Sequence, residues 1–141
     1  MSKIAVEYWS GTGKTERMAK AVAEGAKAAG AEVDVMEADG FTAEQVDEYD
    51  AFAFGCPAMG DEVLEEFEFE PMFISCEGKL AGKEGVLFGS YGWGDGQWMR
   101  DWEERCKDKN MELKADYVIC QDDPDENGLE ACRNLGEILV A

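Results

Sequence analysis

The sequence predicts an α/β protein built on a doubly wound, five-stranded parallel sheet with the strand order 2-1-3-4-5. Apolar runs of strand length alternate with helical patterns, the connections between them are short, and a glycine-rich loop follows the first run. Such alternation is typical of a parallel sheet with helices on both faces. Right-handed crossovers restrict the topology, and a glycine-rich loop after the first of five strands favours this order.

We expect the strands at the apolar runs 3–8, 32–37, 51–55, 85–90 and 113–120. The second run alternates polar and apolar residues, which is typical of a half-exposed strand near an edge. The third and fourth runs are continuously apolar at their centres, as in strands that helices cover on both faces.

Helical spacing of apolar residues predicts five helices. Two of them have clear end signals: Gly30 stops the first, and Thr42 caps the second, with Gln45 at the capping-box position. In the third, Pro71 has to lie in or before the first turn. The predicted ranges are 12–29, 42–48, 67–80, 96–108 and 125–140.

Length and composition indicate one domain over residues 1–141. A chain of 141 residues with 45% hydrophobic residues and four tryptophans is long enough to bury a core without disulfides or metals. No apolar run approaches the ~20 residues of a membrane span, and the first residues lack the apolar stretch of a signal peptide. We therefore expect a soluble, cytoplasmic protein.

The net charge of the chain and its reactive residue types exclude several classes of function. The formal net charge is −19, from 32 acidic and 13 basic residues. Such a surface repels nucleic acids and anionic lipids, keeps the protein monomeric and attracts partners with positively charged surfaces.

Histidine is absent, which excludes imidazole metal sites and Ser–His or Cys–His nucleophile pairs. The five cysteines form no C-x-x-C pair and are best interpreted as reduced, buried thiols. We expect neither a metal site nor catalytic residues.

The stretch Y-W-S-G-T-G-K-T at 8–15 lies between the first predicted strand and the first predicted helix. Its glycines let the backbone turn sharply and bring N–H groups close to a guest. The hydroxyls of Ser10, Thr12 and Thr15 converge there, and the helix points its positive end and unpaired N–H groups at the same volume. The stretch therefore predicts a cradle for the phosphate of a small molecule.

Two further loops, 55–62 and 89–96, follow the third and fourth strands. In this fold, ligands bind where the strand order reverses, at the carboxyl ends of the first and third strands. Each loop combines glycines, an acid and one large side chain, Met59 or Trp93, that loops normally do not expose. These two side chains would sandwich a flat aromatic ligand. A flat ring with a phosphate indicates a mononucleotide, in particular a flavin.

The three loops, S-G-T-G-K-T, C-P-A-M-G-D-E and S-Y-G-W-G-D-G, resemble those of the short-chain flavodoxins, especially the clostridial type. The resemblance extends along the whole chain with matching loop spacing, and the long insertion of the long-chain members is absent. It implies a flavodoxin-like fold, non-covalently bound FMN and a role as a low-potential one-electron carrier rather than an enzyme. The partners implied are FMN and redox enzymes with basic surfaces.

The resemblance also implies how FMN is held. The hydroxyls and amides of the first loop bind the phosphate, Met59 covers the inner face of the isoalloxazine, and Trp93 stacks on its outer face. Glu62 accepts a hydrogen bond from the pyrimidine N–H, and backbone groups over 90–94 reach the pyrimidine carbonyls. The complete set of expected cofactor-binding residues is Trp9, Ser10, Gly11, Thr12, Gly13, Lys14, Thr15, Pro57, Ala58, Met59, Gly60, Asp61, Glu62, Ser90, Tyr91, Gly92, Trp93, Gly94 and Asp95.

Gly60 and the acids near the ligand edge are expected to set the redox behaviour. The resemblance implies that the Gly60 carbonyl turns towards the ring when the central ring nitrogen gains a proton, and glycine makes such a peptide flip at least cost. A hydrogen bond made in only one redox state favours that state. Negative charge near the ring lowers the potential of the second reduction step. The acids concerned are Asp61, Glu62, Glu65, Glu66, Glu68, Glu70, Asp95, Asp122, Asp123, Asp125 and Glu126.

Three positions depart from the family pattern: Lys14, where the clostridial type usually has asparagine, Pro57 and Asp122. Flavodoxins generally bind their phosphate without a basic side chain, so Lys14 either points to solvent or tightens phosphate binding. Lys14 also raises the alternative of a P-loop-type nucleotide-binding protein, but that motif needs a glycine where Tyr8 stands. A response-regulator receiver domain shares the fold, but its acids after the first and third strands are missing here.

Overall fold

The sheet has the predicted strand order. In a computed structural model of the protein, which describes residues 2–140, the strands pair in parallel in the order β2-β1-β3-β4-β5. The strands are β1 (Lys3–Tyr8), β2 (Glu32–Glu37), β3 (Ala51–Gly55), β4 (Glu84–Tyr91), β5 (Glu112–Leu113) and β6 (Val118–Gln121). The first three have the predicted bounds, and the half-exposed β2 lies at an edge as expected.

The prediction of one uninterrupted strand over 113–120 is wrong. Two short strands, β5 and β6, both pair with β4 on this side of the sheet. Leu113 is opposite Gly85 and Val118 is opposite Phe88. The chain therefore advances five residues from Leu113 to Val118 while β4 advances only three. The two surplus residues cannot join a regular ladder, and the segment between the two strands therefore leaves the sheet.

Four α-helices lie close to their predicted positions: α1 (Lys14–Ala28), α2 (Phe69–Glu77), α3 (Gln97–Asp108) and α4 (Glu126–Val140). The short predicted helix after Thr42 takes the 3-10 form, over Ala43–Glu48. α1 and α3 begin slightly later than predicted because Gly13 and Gly96, with φ of 90° and 95°, hold a left-handed conformation that a right-handed helix excludes. α2 is shorter than predicted, with Pro71 in its first turn as expected.

Buried side chains cover both faces of the sheet. One face packs against α1 and α4, and the other packs against α2 and α3. On the second face Phe54 meets Phe73 edge to face with ring centroids 5.2 Å apart, and Phe69 meets Trp102 in the same way at 5.3 Å. Aromatic pairs of this geometry add ~0.5–1.5 kcal/mol each beyond the area they bury. The first pair fixes α2, the helix that follows the loop after β3, against the sheet, and the second joins α2 to α3.

α1 and α4 approach each other closely at two glycines. A Cβ at Gly25 would overlap the backbone carbonyl of Arg133, and a Cβ at Gly136 would overlap that of Val22. Because both obstacles are backbone atoms, neither position admits a side chain unless the helices separate. The contact holds α1, whose N-terminus follows the first glycine-rich loop, in a fixed position on the sheet.

All five cysteines are buried and unpaired, as the sequence predicted. Burial raises the pKa of the Cys106 and Cys132 thiols to about 12, so both stay protonated at neutral pH and are poor nucleophiles. Among residues 2–140, no helix is long and apolar enough to cross a membrane.

A fully buried carboxyl group without hydrogen bonds lies inside the core. Glu7, near the end of β1, is fully buried, and neither of its carboxyl oxygens has a hydrogen-bond partner in the described part of the chain. Its neighbours on the adjacent strands are Met36 and Phe54. Burial raises the pKa of Glu7 to about 9, and the nearby carboxylate of Asp34 adds to the shift. Glu7 is therefore protonated and uncharged at neutral pH.

We expect Glu7→Met to stabilise the protein, because it removes an unsatisfied buried acid and keeps an unbranched side chain of similar length. The folded-state pKa of Glu7 lies above its ordinary value of 4.5, so the folded chain holds a proton that the unfolded chain releases between about 4.5 and about 9. The contribution of Glu7 to stability is therefore fully present below that window and is lost as the pH rises through it. Urea unfolding at pH 7 is expected to show a gain of about 1–3 kcal/mol for the variant.

The gain from Glu7→Met is expected to grow as the pH rises towards 9. A stability difference between variant and wild type that stays constant across the window would contradict a neutral, buried acid at this position.

Candidate functional site

Three loops meet at the edge of the sheet formed by the carboxyl ends of β1, β3 and β4. Backbone hydrogen bonds continue the ladder past the strand ends: the N–H of Trp9 donates to the carbonyl of Gly55 (3.0 Å), and the N–H of Ala58 donates to that of Ser90 (3.0 Å). The sheet thus sets the positions of the three loops relative to one another, at the edge where the sequence predicted a ligand.

The loops surround a cleft of about 220 Å³. Ten residues line it, and all ten belong to the predicted binding set: Trp9, Gly11, Thr12, Lys14, Pro57, Ala58, Met59, Ser90, Tyr91 and Gly92. Lys14 is the one charged residue among these ten. The lining therefore combines rings and a thioether, suited to a flat ligand, with the polar backbone of the first loop.

The first loop presents unpaired backbone donors. Ser10 Oγ accepts the N–H groups of Gly13 (3.0 Å) and Glu16 (3.3 Å), which shapes the turn into α1. Five other N–H groups of this loop donate to no acceptor within residues 2–140, those of Ser10, Gly11, Thr12, Lys14 and Thr15. These donors and the positive end of the α1 dipole form an arrangement that binds anions.

The three hydroxyls that were expected to converge have separate positions. Thr15 is buried, and its Oγ1 lies 2.8 Å from the Oγ of Ser90, which is also buried. Ser10 holds two loop amides, whereas Thr12 lines the cleft. The Thr15–Ser90 hydrogen bond ties the first turn of α1 to β4.

The loop after β3 contains a tight hairpin. Met59 and Val63 exchange both backbone hydrogen bonds (2.9 and 3.0 Å), which leaves three residues at the tip. Gly60 and Glu62, at the tip, have φ values of 50° and 56° in the left-handed region. Apart from chain neighbours, no atom lies within 4 Å of the position that a Gly60 Cβ would take. The hairpin therefore leaves open space on the side-chain side of Gly60, where a glycine tolerates a change of backbone conformation at little steric cost.

Glu62 connects this hairpin to the third loop. Its Oε1 accepts the N–H groups of Gly96 (3.2 Å) and Gln97 (3.0 Å), where an acid stabilises the positive end of α3. The same carboxylate lies against Gly94, whose Cβ would come within 2.6 Å of it. Glu62 Oε2 accepts no hydrogen bond from the described residues, so it remains available to a donor of a ligand.

Glu65, which the sequence presented as a surface acid, is buried, with 4% of its surface exposed. Its carboxylate accepts the N–H groups of Phe67 (2.9 Å), Glu68 (2.7 Å) and Phe69 (2.8 Å) at the start of α2. Its own N–H donates to Cys56 Sγ (3.3 Å). The sequence carries no signal for this role, because a capping residue is normally a Ser, Thr, Asp or Asn placed directly before the helix.

Glu68 joins the start of α2 to the first loop. The indole Nε1 of Trp9 donates to Glu68 Oε1 (3.1 Å). The ring of Trp9 also lies over Gly11, 3.0 Å from the position of a Cβ there. The first and second loops are thus linked through a side chain that lines the cleft.

Two aromatic side chains beside the cleft face solvent. Trp93, which is expected to stack on the ligand, is 62% exposed and is not part of the cleft lining. Phe67, for which no sequence motif indicates a role, is 86% exposed. Large apolar side chains on a loop become buried only when a ligand or partner covers them.

Many of the acids that were expected to act as free charges at this edge form ion pairs. Glu70 shares Arg105 with Glu77, with N–O distances of 2.6 to 2.8 Å, and the hydrogen bond to Arg105 holds the pKa of Glu77 below its ordinary value. Further pairs are Asp95–Arg100, Asp122–Lys14, Asp123–Arg17 and Glu126–Arg133. Within the described chain, the acids of the second loop that make no ion pair are Asp61, Glu62, Glu65, Glu66 and Glu68.

Comparison with known proteins assigns the family. The flavodoxin family model matches residues 6–136. The chain belongs to the flavodoxin family. It is 46% identical over 123 residues to the flavodoxin of Clostridium beijerinckii, covering 87% of this chain and 89% of the relative. It is 40% identical over 134 residues to the flavodoxin of Megasphaera elsdenii, covering 95% and 96%. The solution structure of two-electron reduced M. elsdenii flavodoxin matches it with a TM-score of 0.90 at 41% identity, covering 97% of this chain and 98% of that one.

Membership of the family confirms the predicted resemblance, fold and class of function. Flavodoxins bind FMN and transfer electrons rather than convert a substrate of their own, and nothing supports the P-loop alternative. The residues present fit FMN on three observations: unpaired amides at the first loop, a cleft lined by rings and a thioether, and a carboxylate oxygen of Glu62 without a partner.

We expect Glu65→Gln to destabilise the protein by about 1–3 kcal/mol, because one amide oxygen cannot accept the three N–H groups that the carboxylate holds. FMN binding is expected to weaken as well, since the start of α2 is tied through Glu68 and Trp9 to the cleft. The free energy of unfolding from urea titration and the FMN dissociation constant from fluorescence quenching check both effects. Glu66→Gln, the same charge change on the exposed neighbour, serves as the control. Equal effects of the two variants would show that charge, not the buried hydrogen bonds, matters.

Proposed function

We propose that residues 1–141 form one FMN-binding domain that carries single electrons at low potential between redox enzymes of the cytoplasm, as a monomer. The observation that carries this proposal is the cleft itself, where unpaired loop amides adjoin apolar side chains at the edge of the sheet. FMN, when bound, supplies the redox chemistry, since its ring takes up and releases electrons one at a time.

The first loop is proposed to bind the phosphate. The unpaired N–H groups over 11–15 donate to it, and Thr12 adds a hydroxyl from the lining of the cleft. Ser10 and Thr15 act mainly by shaping this loop, since their hydroxyls hold Gly13 and Ser90. Uncharged donors at a helix N-terminus are a usual way for proteins to bind phosphate.

The second and third loops are proposed to hold the ring. Met59 covers one face from inside the cleft, and Trp93, exposed at 62%, gains contact area by stacking on the other. Glu62 Oε2 accepts the pyrimidine N–H, while Oε1 keeps its hydrogen bonds to the start of α3. Backbone groups over 90–94 are proposed to bind the pyrimidine carbonyls.

Gly60 and the unpaired acids of the second loop are proposed to set the two reduction potentials. Glycine permits rotation of its peptide at little steric cost, and the Gly60 carbonyl can accept a hydrogen bond from the central ring nitrogen only when that nitrogen carries a proton. The acids without ion pairs keep negative charge near the ring, which disfavours addition of the second electron. The acids that pair with arginine or lysine contribute less, because their charge is compensated locally.

Anaerobic reductive titration of the purified protein tests the function. The protein is expected to bind one FMN per chain and to be reduced in two separate one-electron steps, the second at low potential. Protein that stays colourless after incubation with FMN would contradict the proposal.

We expect Gly60→Val to narrow the gap between the two one-electron potentials and to leave FMN affinity largely unchanged. A β-branched residue resists the conformations that the flip needs, and one hydrogen bond specific to a redox state is worth about 1–2 kcal/mol. That corresponds to roughly 40–90 mV for one electron, measured by spectroelectrochemistry. Gly82→Val is the matched control, since Gly82 also has a positive φ (79°) with no atom within 4 Å, but lies away from the cleft. An unchanged gap in Gly60→Val would contradict the proposed flip.

Partner docking is proposed beside the hairpin, with Phe67 as the apolar anchor of the docking surface. Phe67 is 86% exposed, yet its N–H is held by the buried Glu65 carboxylate, so its backbone is fixed rather than mobile. It lines a second cleft of about 370 Å³ together with the hairpin tip that carries Gly60. Exposed Glu66 lies directly beside it. An apolar side chain within an acidic rim fits a redox protein whose docking face has Lys and Arg around an apolar recess.

We expect Phe67→Ser to slow electron transfer from the reduced protein to cytochrome c, a basic protein with an exposed haem edge, by ~3–10-fold. Ile74→Ser, which alters another exposed apolar residue (58%) on α2, is expected to change the rate less than ~2-fold. Stopped-flow measurement at several salt concentrations separates the apolar contribution, which persists at high salt, from that of the acids. Equal rates for the two variants would exclude Phe67 as the anchor.

A further inference from the structure

The first turn of α1 carries two cations at the end of the helix where cations are disfavoured. Lys14 is the first residue of the helix, Arg17 ends its first turn, and Glu16 is the one acid of that turn. The helix dipole places partial positive charge at this end, and a lysine there destabilises the helix unless an anion is close. Lys14 is also the one charged residue of the cleft lining, and about a third of its side chain is exposed (32%).

The protein itself offers Lys14 only a weak partner. Lys14 Nζ lies 3.9 Å from Asp122 Oδ1, which is too long for a hydrogen bond, and the Asp122 side chain is 68% exposed. An exposed pair of this kind contributes little to stability. The ammonium group of Lys14 therefore keeps its donors available to a stronger anion in the cleft.

Asp122 is nevertheless held firmly in place. Its backbone has a φ of 56°, and its N–H donates to the carbonyl of Tyr91 (2.7 Å), a residue of the cleft lining. The adjacent Asp123 pairs with Arg17. Two ion pairs thus join the first turn of α1 to the segment after β6, on the side of the cleft where the first loop presents its unpaired amides.

We propose that Lys14 is a specificity-determining residue that recognises the doubly charged phosphate of FMN, and that Asp122 weakens this binding by pairing with the Lys14 ammonium group. The inference rests on the proposed FMN site. The backbone N–H of Lys14 belongs to the unpaired set of the first loop, so its side chain starts beside the place where a phosphate binds. The amides of the first loop are uncharged donors, whereas the Lys14 side chain adds a full positive charge, and the carboxylate of Asp122 opposes the approach of the phosphate.

The consequence is a charge-dependent discrimination between FMN and riboflavin, which has the same ring but no phosphate. Lys14 favours FMN alone, whereas ring contacts favour both ligands equally. Because Lys14 is partly exposed, its contribution falls as salt screens it.

Titration of the apoprotein with FMN and with riboflavin tests the inference. Lys14→Gln is expected to raise the FMN dissociation constant by ~10-fold at low salt and that of riboflavin by less than ~2-fold, with the difference shrinking at high salt. Lys14→Arg is expected to retain the preference for FMN. Lys27→Gln, at the exposed far end of α1, is the control for net charge and is expected to leave both constants unchanged.

Asp122→Asn completes the test. It is expected to tighten FMN binding by ~3-fold in the wild-type background, and to have a smaller effect in the Lys14→Gln background, where no ammonium group remains to be freed. Riboflavin binding reports that each variant is folded. If Lys14→Gln does not fold, the Lys14→Arg and Asp122→Asn results decide the question.

Equal losses of FMN and riboflavin affinity in Lys14→Gln, or an Asp122→Asn variant that binds FMN more weakly, would overturn the inference. Failure of the wild-type protein to bind FMN would overturn instead the proposed function on which the inference rests.

Discussion

The site depends on a continuation of the sheet's hydrogen-bond ladder beyond the ends of its strands. Backbone bonds from Trp9 to Gly55, from Cys56 to Phe88 and from Ala58 to Ser90 carry the pairing into three loops that are distant in sequence. Parallel pairing puts all these ends at one edge, and the reversal of strand order between β1 and β3 opens a space there. The loops therefore need little structure of their own to stand at defined distances from one another.

Carboxylates complete what the backbone begins. Glu62 caps α3 from the second loop, Glu65 caps α2 from inside the core, and Glu68 holds the indole of Trp9. In a chain of net charge −19 these acids would be assigned to solubility or to a long-range field. Their hydrogen bonds show a second use, because a carboxylate satisfies helix N–H groups while it carries negative charge close to the cleft. The same carboxylates thus fix the positions of the helix starts and supply the negative charge near the cleft.

The core contains one destabilising group that has no role in the site. Glu7 occupies a fully buried position on β1, two residues before Trp9, with no hydrogen-bond partner in the described chain. Its carboxyl group remains uncharged because burial raises its pKa to about 9. The packing of aromatic side chains around α2 and α3 and the close contact of α1 with α4 stabilise the fold that contains this group.

The sequence by itself determined the class of fold, the order of the strands, the faces of the helices and the location of the three loops, because hydrophobic period and glycine placement are local properties. All ten residues that line the cleft belong to loops recognised from their motifs. It did not reveal the break between β5 and β6, because that break arises from a difference in residue count between two strands whose register only pairing defines. Nor did it reveal the burial of Glu65, the exposure of Phe67 or the pairing of Lys14 with Asp122. Each of these depends on which distant backbone donors and charges the folded chain brings within a few ångströms, and no local pattern encodes that distance.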